Sequence, residues 1–198
     1  MASTLCNTLT KNIATRKCLP AGGLKTRLWV FQAPDFTGVQ TFSPTGALSS
    51  FGLATGAQVI TLNGRPKKGK GDNKLTKPED GALSVEQSLG FEAAYGTQHE
   101  LDALIDFLRA DNKTVFVETN AGTIRQYFHE FGDGSFEGTD GTGLLVGDAT
   151  NVLAGTLKGT ESTLPRFFEA AIGTTGLTQL AASRAYLDAL VTGAYVVD

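Results

Sequence analysis

The sequence is short of the residues that most often carry chemistry. Its 198 positions hold two histidines, two cysteines, one methionine and one tryptophan. Two cysteines, Cys6 and Cys18, are too few for a disulfide framework. They read as free thiols, with a single Cys6–Cys18 bridge as the open alternative. His99 falls in the first turn of a predicted helix and His129 on a predicted strand. Neither has a cysteine, serine or second histidine at ligand spacing, so both read as ordinary histidines and neither a metal nor a cofactor is expected. No apolar run approaches the roughly 20 residues that cross a bilayer, so no membrane partner is expected. Residues 1–17 lack the continuous apolar segment of a secretory signal. A charge excess is missing too. Seventeen Lys and Arg against twenty Asp and Glu leave a net charge of −3, whereas general nucleic-acid binders are usually basic.

What the chain does have is glycine, 24 residues, together with much threonine, a profile of strands and turns rather than of a helix bundle. Its length suits one domain with a sizeable core. The expected class is mainly β with one or two helices, including a long β-hairpin and an amphipathic α-helix.

The most regular stretch lies in the middle. Residues 59–62 read as a strand, followed by a basic, Gly/Pro-rich excursion from 64 to 78. Leu83, Val85, Leu89, Phe91 and Ala93 then alternate with Ser84, Glu86, Ser88, Gly90 and Glu92, the period of a strand with one buried and one wet face. Residues 59–62 and 83–94 are expected to form a two-stranded ribbon with a basic tip. Thr97-Gln98-His99-Glu100 has the form of a capping box, and Leu101, Leu104, Ile105 and Leu108 follow at helical spacing.

Around that centre, residues 24–32 read as a strand. Residues 33–56 read as a loop, broken at Pro34, Pro44 and Gly46, that carries one short strand near 39–42. Residues 113–119 and 123–131 read as strands joined at Asn120-Ala121-Gly122. The glycine-rich run 131–147 reads as a flexible loop, 151–161 as a strand, and 166–170 as an edge or a new strand after Pro165. Residues 177–191 look helical, although Arg184 sits in the apolar stripe.

Three motifs invite chemistry and fall short. Gly64-Arg65-Pro66-Lys67-Lys68-Gly69-Lys70 matches the spacing of a phosphate-binding loop. Position 71, however, is glycine instead of the Mg²⁺-binding hydroxyl, and no helix follows. Asp133-Gly134-Ser135 and Asp140-Gly141 lack the closing glutamate of a calcium loop. Glu86 and Glu92, six strand residues apart, stand about 20 Å from each other, too far to act as an acid–base pair. An enzyme is not expected.

Several short runs carry a resemblance. They are Cys6-Asn7-Thr8-Leu9-Thr10-Lys11, Cys18, Gly22-Gly23-Leu24-Lys25 entering a strand, and Gly141-Thr142-Gly143 to Gly147-Asp148 before a strand, then Glu161 and Pro165. Together with the order of elements over residues 1–172, the chain resembles the tail tube (major tail) proteins of long-tailed bacteriophages, particularly of phages infecting Bacteroides-type hosts. The resemblance implies a tail-tube-like domain over 1–172, a β-sandwich or half-barrel flanked by an α-helix. Residues 173–198 lie outside the resemblance and read as a C-terminal helical extension. It implies a structural virion protein that forms stacked homohexameric rings around a channel for DNA ejection. Its partners would be other copies of itself and other tail proteins such as the tape measure, terminator and baseplate, with viral DNA passing transiently and without sequence specificity. It would be assembled in the host cytoplasm and reside in the virion tail. The alternative within the same class is a tail terminator, neck or capsid decoration protein. On the tube reading, Ser84, Glu86, Ser88, Gly90 and Glu92 form an acidic lumen face. Arg65, Lys67, Lys68, Lys70, Lys74 and Lys77 form a loop that contacts the next ring.

Overall fold

The computed structural model describes residues 23–63, 69–77, 84–94, 97–130, 132, 135–141, 152–172 and 177–191. Cys6, Cys18, Arg65, Lys67 and Lys68 lie outside them, as does the Glu100 side chain of the expected capping box.

In chain order the elements are β1 (Leu24–Gln32), β2 (Phe36–Phe42), β3 (Leu48–Leu53), β4 (Ile60–Asn63), β5 (Lys70–Thr76), β6 (Ser84–Ala94), α1 (Gln98–Arg109), β7 (Lys113–Thr119), β8 (Ile124–Tyr127), β9 (Ser135–Gly141), β10 (Val152–Glu161), β11 (Arg166–Phe168) and α2 (Gln179–Ala189). They build two sheets. The first has seven strands in the order β2-β3-β11-β8-β7-β1-β4, and the second four in the order β5-β6-β10-β9. The chain is thus mainly β with two helices. Pairings are antiparallel except that of β11 with β3.

The seven-stranded sheet is the middle layer, and its sequence shows why. β1 contains the unbroken apolar run Leu28-Trp29-Val30-Phe31, and every residue from Lys113 to Glu118 of β7 is buried. Strands that lose alternation in this way are covered on both faces. On one side Leu24, Leu28, Val30, Leu62, Val115 and Val117 meet Leu89, Phe91, Ala93 and Leu157 of the second sheet and Leu104 and Phe107 of α1. On the other side Trp29, Phe31, Phe51, Phe116 and Phe168 meet Leu187 of α2. Most ring pairs there stand edge-on or tilted, as Phe31 against Phe116 at 5.1 Å, while Phe51 stacks on Phe116 at 5.2 Å. Such pairs are worth about 0.5–1.5 kcal/mol each beyond area burial.

Helix α2 is therefore packed on the domain. Thr178 caps it by accepting the Ala181 amide at 3.3 Å. Asp188 accepts the Trp29 indole N–H at 2.8 Å and pairs with Arg27. Arg184, the apparent flaw in the apolar stripe, binds Glu118 of β7.

Four expectations need correction. Strand β4 does not pair with β6: it pairs with β1, while β6 is flanked by β5 and β10. Residues Lys70 and Lys74 of the expected basic tip are thus in a strand. All of β5 except Asn73 is exposed, and among the described residues it pairs with β6 alone. Residues 33–56 hold two strands, β2 and β3, rather than one. The glycine-rich run contains β9, which pairs along β10 from Ser135 to Gly141. Backbone pairing needs no side chains, so composition concealed it. Strand β8 also ends earlier than expected, at Tyr127, because Phe128 turns to φ +56°.

Candidate functional site: the second sheet and its rim

The alternation in β6 takes the expected sides. Val85, Gln87, Leu89, Phe91 and Ala93 are buried, and Glu86 is exposed with Ser84, Ser88, Gly90 and Glu92 half-buried. Directly opposed residues of an antiparallel pair share a face. The register therefore adds neighbours to this wet face: Lys74 opposite Glu86, Asp72 opposite Ser88, and Lys70 opposite Gly90 on one side. Thr160, Lys158, Thr156 and Ala154 oppose Glu86, Ser88, Gly90 and Glu92 on the other. The face is mixed in charge rather than purely acidic as β6 alone suggests. It carries Lys70, Lys74 and Lys158 beside Asp72, Glu86 and Glu92, with hydroxyls and glycine between, and β9 sets Glu137 opposite Thr156 on the same face. The lysines come from the two flanking strands, whose pairing to β6 is not readable from β6.

The opposite face of the sheet is sealed along β6 and at Leu157, Gly159 and Glu161 of β10, while Gly71 and Leu75 of β5 stay exposed. Gln87, fully buried, bridges two segments: its amide N–H donates to the Thr163 carbonyl and its carbonyl accepts the Phe128 amide, each at 2.9 Å. At the rims, β5 pairs only with β6 and β9 only with β10 among the described residues. Of the residues expected to contact a next ring, Lys70 and Lys74 belong to this sheet. Lys77 follows β5 directly and is exposed.

A second polar cluster lies where the two sheets meet, beyond the end of β8. It consists of His129, Glu130 and Glu161, whose nearest ligand-type atoms all fall within 4.8 Å of one another. His129, expected to be isolated, is not. Its side chain is fully buried, with Nε2 2.9 Å from the Thr163 hydroxyl and 3.6 Å from Glu130. Nδ1 lies 3.9 Å from Glu161 Oε2 and has no hydrogen-bond partner. Burial, with the charge of Arg166 adding to it and that of Glu130 opposing, pushes the imidazole down to about 4. Burial alone would raise the Glu130 carboxyl, but hydrogen bonds from Ser162 outweigh it and leave the group below the usual carboxylate range. Nothing in local spacing pointed to this cluster, because Glu161 is 31 residues from Glu130.

An apolar cleft of about 260 Å³ lies between α1 and the β1–β4 edge, lined by Ile60, Leu62, Leu104 and Phe107 with Asp106 and Lys113. It has no convergent set of nucleophile, base and oxyanion donors among its lining residues. No family model, no curated protein and no solved structure compared with the chain matches it.

Proposed function

We propose that this chain is a structural virion protein, the protomer of a phage tail tube that assembles as stacked hexameric rings around a DNA channel. One observation carries the reading beside the sequence resemblance. The second sheet is sealed on one face along β6, wet on the other, and ends in two strands, β5 and β9, that take no further partner among the described residues. Open edges are templates for pairing with another chain. Pairing β5 of one copy with β9 of the next is a head-to-tail contact, which closes into a ring when the rotation allows. Six copies of a four-stranded sheet make a barrel of about 24 strands, wide enough for an open lumen. The two edges are complementary in one respect, since Lys70 and Lys74 of β5 and Glu137 of β9 fall on the same face of the sheet by register.

In such a ring the face carrying Ser84, Glu86, Ser88, Gly90 and Glu92 lines the hole. Its mixed charge suits passage of DNA. Lysines with carboxylates beside them release few phosphate counterions, so the wall neither binds DNA firmly nor repels it strongly. Arg65, Lys67, Lys68 and Lys77, flanking β5, remain the basic group proposed to meet the neighbouring ring. The tape measure, terminator and baseplate are the expected tail partners.

Electron microscopy of the purified chain at high concentration tests this. Stacked rings with a central hole are expected. Single unstacked rings or isolated trimers would favour a terminator, neck or decoration protein. A monomer under every condition would overturn the proposal.

A further inference from the structure

From the geometry of His129, Glu130 and Glu161 we infer a binding site for one first-row divalent cation, of the Zn²⁺ class, that ties the end of β8 to the end of β10. The inference is independent of the tube reading. It starts from the Thr163 hydroxyl, which donates its one proton to Glu130 Oε1 at 3.2 Å. That hydroxyl then accepts from the other side, so His129 Nε2, 2.9 Å away, carries the ring proton. Nδ1 is left with a bare lone pair. It is fully buried, has no hydrogen-bond partner, and faces a carboxylate oxygen of Glu161 at 3.9 Å. Two acceptors turned towards each other away from water are a costly arrangement. A cation between them resolves it.

The dimensions suit a small transition-metal ion. Zinc bonds of roughly 2.0–2.1 Å to nitrogen and 2.0–2.2 Å to carboxylate oxygen let two ligands on one ion lie up to about 4.2 Å apart. The Nδ1–Oε2 gap is inside that limit, and Glu130 belongs to the same group of ligand-type atoms, all within 4.8 Å of one another. Imidazole with two carboxylates favours zinc over Mg²⁺ or Ca²⁺, which take oxygen ligands. Two carboxylates outweigh the nearby charge of Arg166, so the site is net negative without the ion. The fourth position opens towards Ser162 and Thr163, which are exposed.

The ligands are also held in advance. Glu161 Oε2 accepts the Glu130 amide at 2.7 Å, and Glu130 accepts both the amide and the hydroxyl of Ser162 at 2.7 Å. Phe128, immediately before His129, is held at φ +56°, a strained conformation for a bulky residue that persists only where its surroundings impose it. Here they do. Gln87 takes the Phe128 amide and Thr114 donates to its carbonyl at 2.8 Å. Outer contacts of this kind fix ligand orientation in metal sites.

The test uses the full chain, stripped with chelator and titrated with zinc chloride by calorimetry, with thermal melting followed in parallel. One zinc per chain and a melting temperature that rises with zinc are expected. His129→Ala and Glu161→Gln should each weaken binding more than about 100-fold, beyond the 10–100-fold typical of outer-shell changes. Absence of zinc binding by the wild-type chain, or unchanged affinity in both variants, would overturn the site. Cobalt bound to the unaltered chain decides the matter even if the variants do not fold. Ligand-field bands without a thiolate charge-transfer band support the nitrogen–oxygen set, and a thiolate band would assign the metal to Cys6 and Cys18 instead.

Discussion

Arg184 of α2 grips Glu118 of β7 with two hydrogen bonds, Nε to Oε2 at 2.7 Å and Nη2 to Oε1 at 2.6 Å, and Lys25 of β1 pairs with the same carboxylate. The fork matches the carboxylate plane, which lysine cannot reproduce. Burial raises the Glu118 carboxyl, but the hydrogen bonds and charges of Arg184 and Lys25 outweigh it and hold the group below its ordinary value. A depressed folded-state value means the stabilisation is fully present above the unfolded carboxylate range and is lost as pH falls through the folded value.

Urea midpoints measured between pH 6 and pH 3 check this. The wild-type midpoint should fall faster in acid than that of Glu118→Gln, whose loss is already present at pH 6. At neutral pH Arg184→Ala should cost about 1.5–3 kcal/mol, the range for hydrogen bonds to charged groups, and Arg184→Lys less.

Gln87→Leu keeps approximate volume in the core but strips the Phe128 amide and the Thr163 carbonyl of their partner. The buried Phe128 amide left unpaired costs about 1–3 kcal/mol, and the part-buried Thr163 carbonyl adds less. Chemical denaturation should show a loss of at least about 1–3 kcal/mol, although the substitution makes the site more apolar. Stabilisation would mean that water reaches both groups.

At Gly159 of β10 an added Cβ would stand 2.8 Å from the Gly132 carbonyl oxygen and 2.8 Å from the Phe128 ring. Backbone on one side and a fully buried ring on the other leave no route to relax. Gly159→Ala should lower the melting temperature by an amount corresponding to about 1–3 kcal/mol, the usual cost of overpacking.

These sites show where sequence reading succeeds and where it stops. The face of β6, the stripe of α1 and the Gly122 hairpin were legible, since each is a local period or a local φ requirement. Gly122 is indeed at φ +76°. Partners of strands were not legible. The run 59–62 carries no mark of pairing with β1 rather than with 83–94, and Lys70–Thr76 and Ser135–Gly141 hide as polar or glycine-rich segments because outer strands need little apolar surface. That hidden pairing is also why the wet face was expected to be acidic. His129 stood apart for a related reason, as its neighbours arrive through the packing of two sheets.

The wall charge gives a prediction that rests on the tube reading. Glu86→Lys with Glu92→Lys leaves five lysines against Asp72 and Glu137 on that face. The fold should persist, since Glu86 is exposed and Glu92 lies on the wet side of β6. DNA should then be retained by the assembled particle in a salt-dependent manner, with log affinity falling linearly in log salt. Filter binding at several salt concentrations measures it, and equal retention by wild-type and variant particles would remove this face from the channel.

The most direct measurement is a density map of the assembled particle fine enough to separate strands, which lie about 4.7–4.9 Å apart. The account predicts β5 of one copy beside β9 of the next, closing a continuous barrel with Glu86 and Lys74 turned to the hole and α2 outside. A particle whose second sheet faces outward, or in which β5 and β9 never meet, would contradict it.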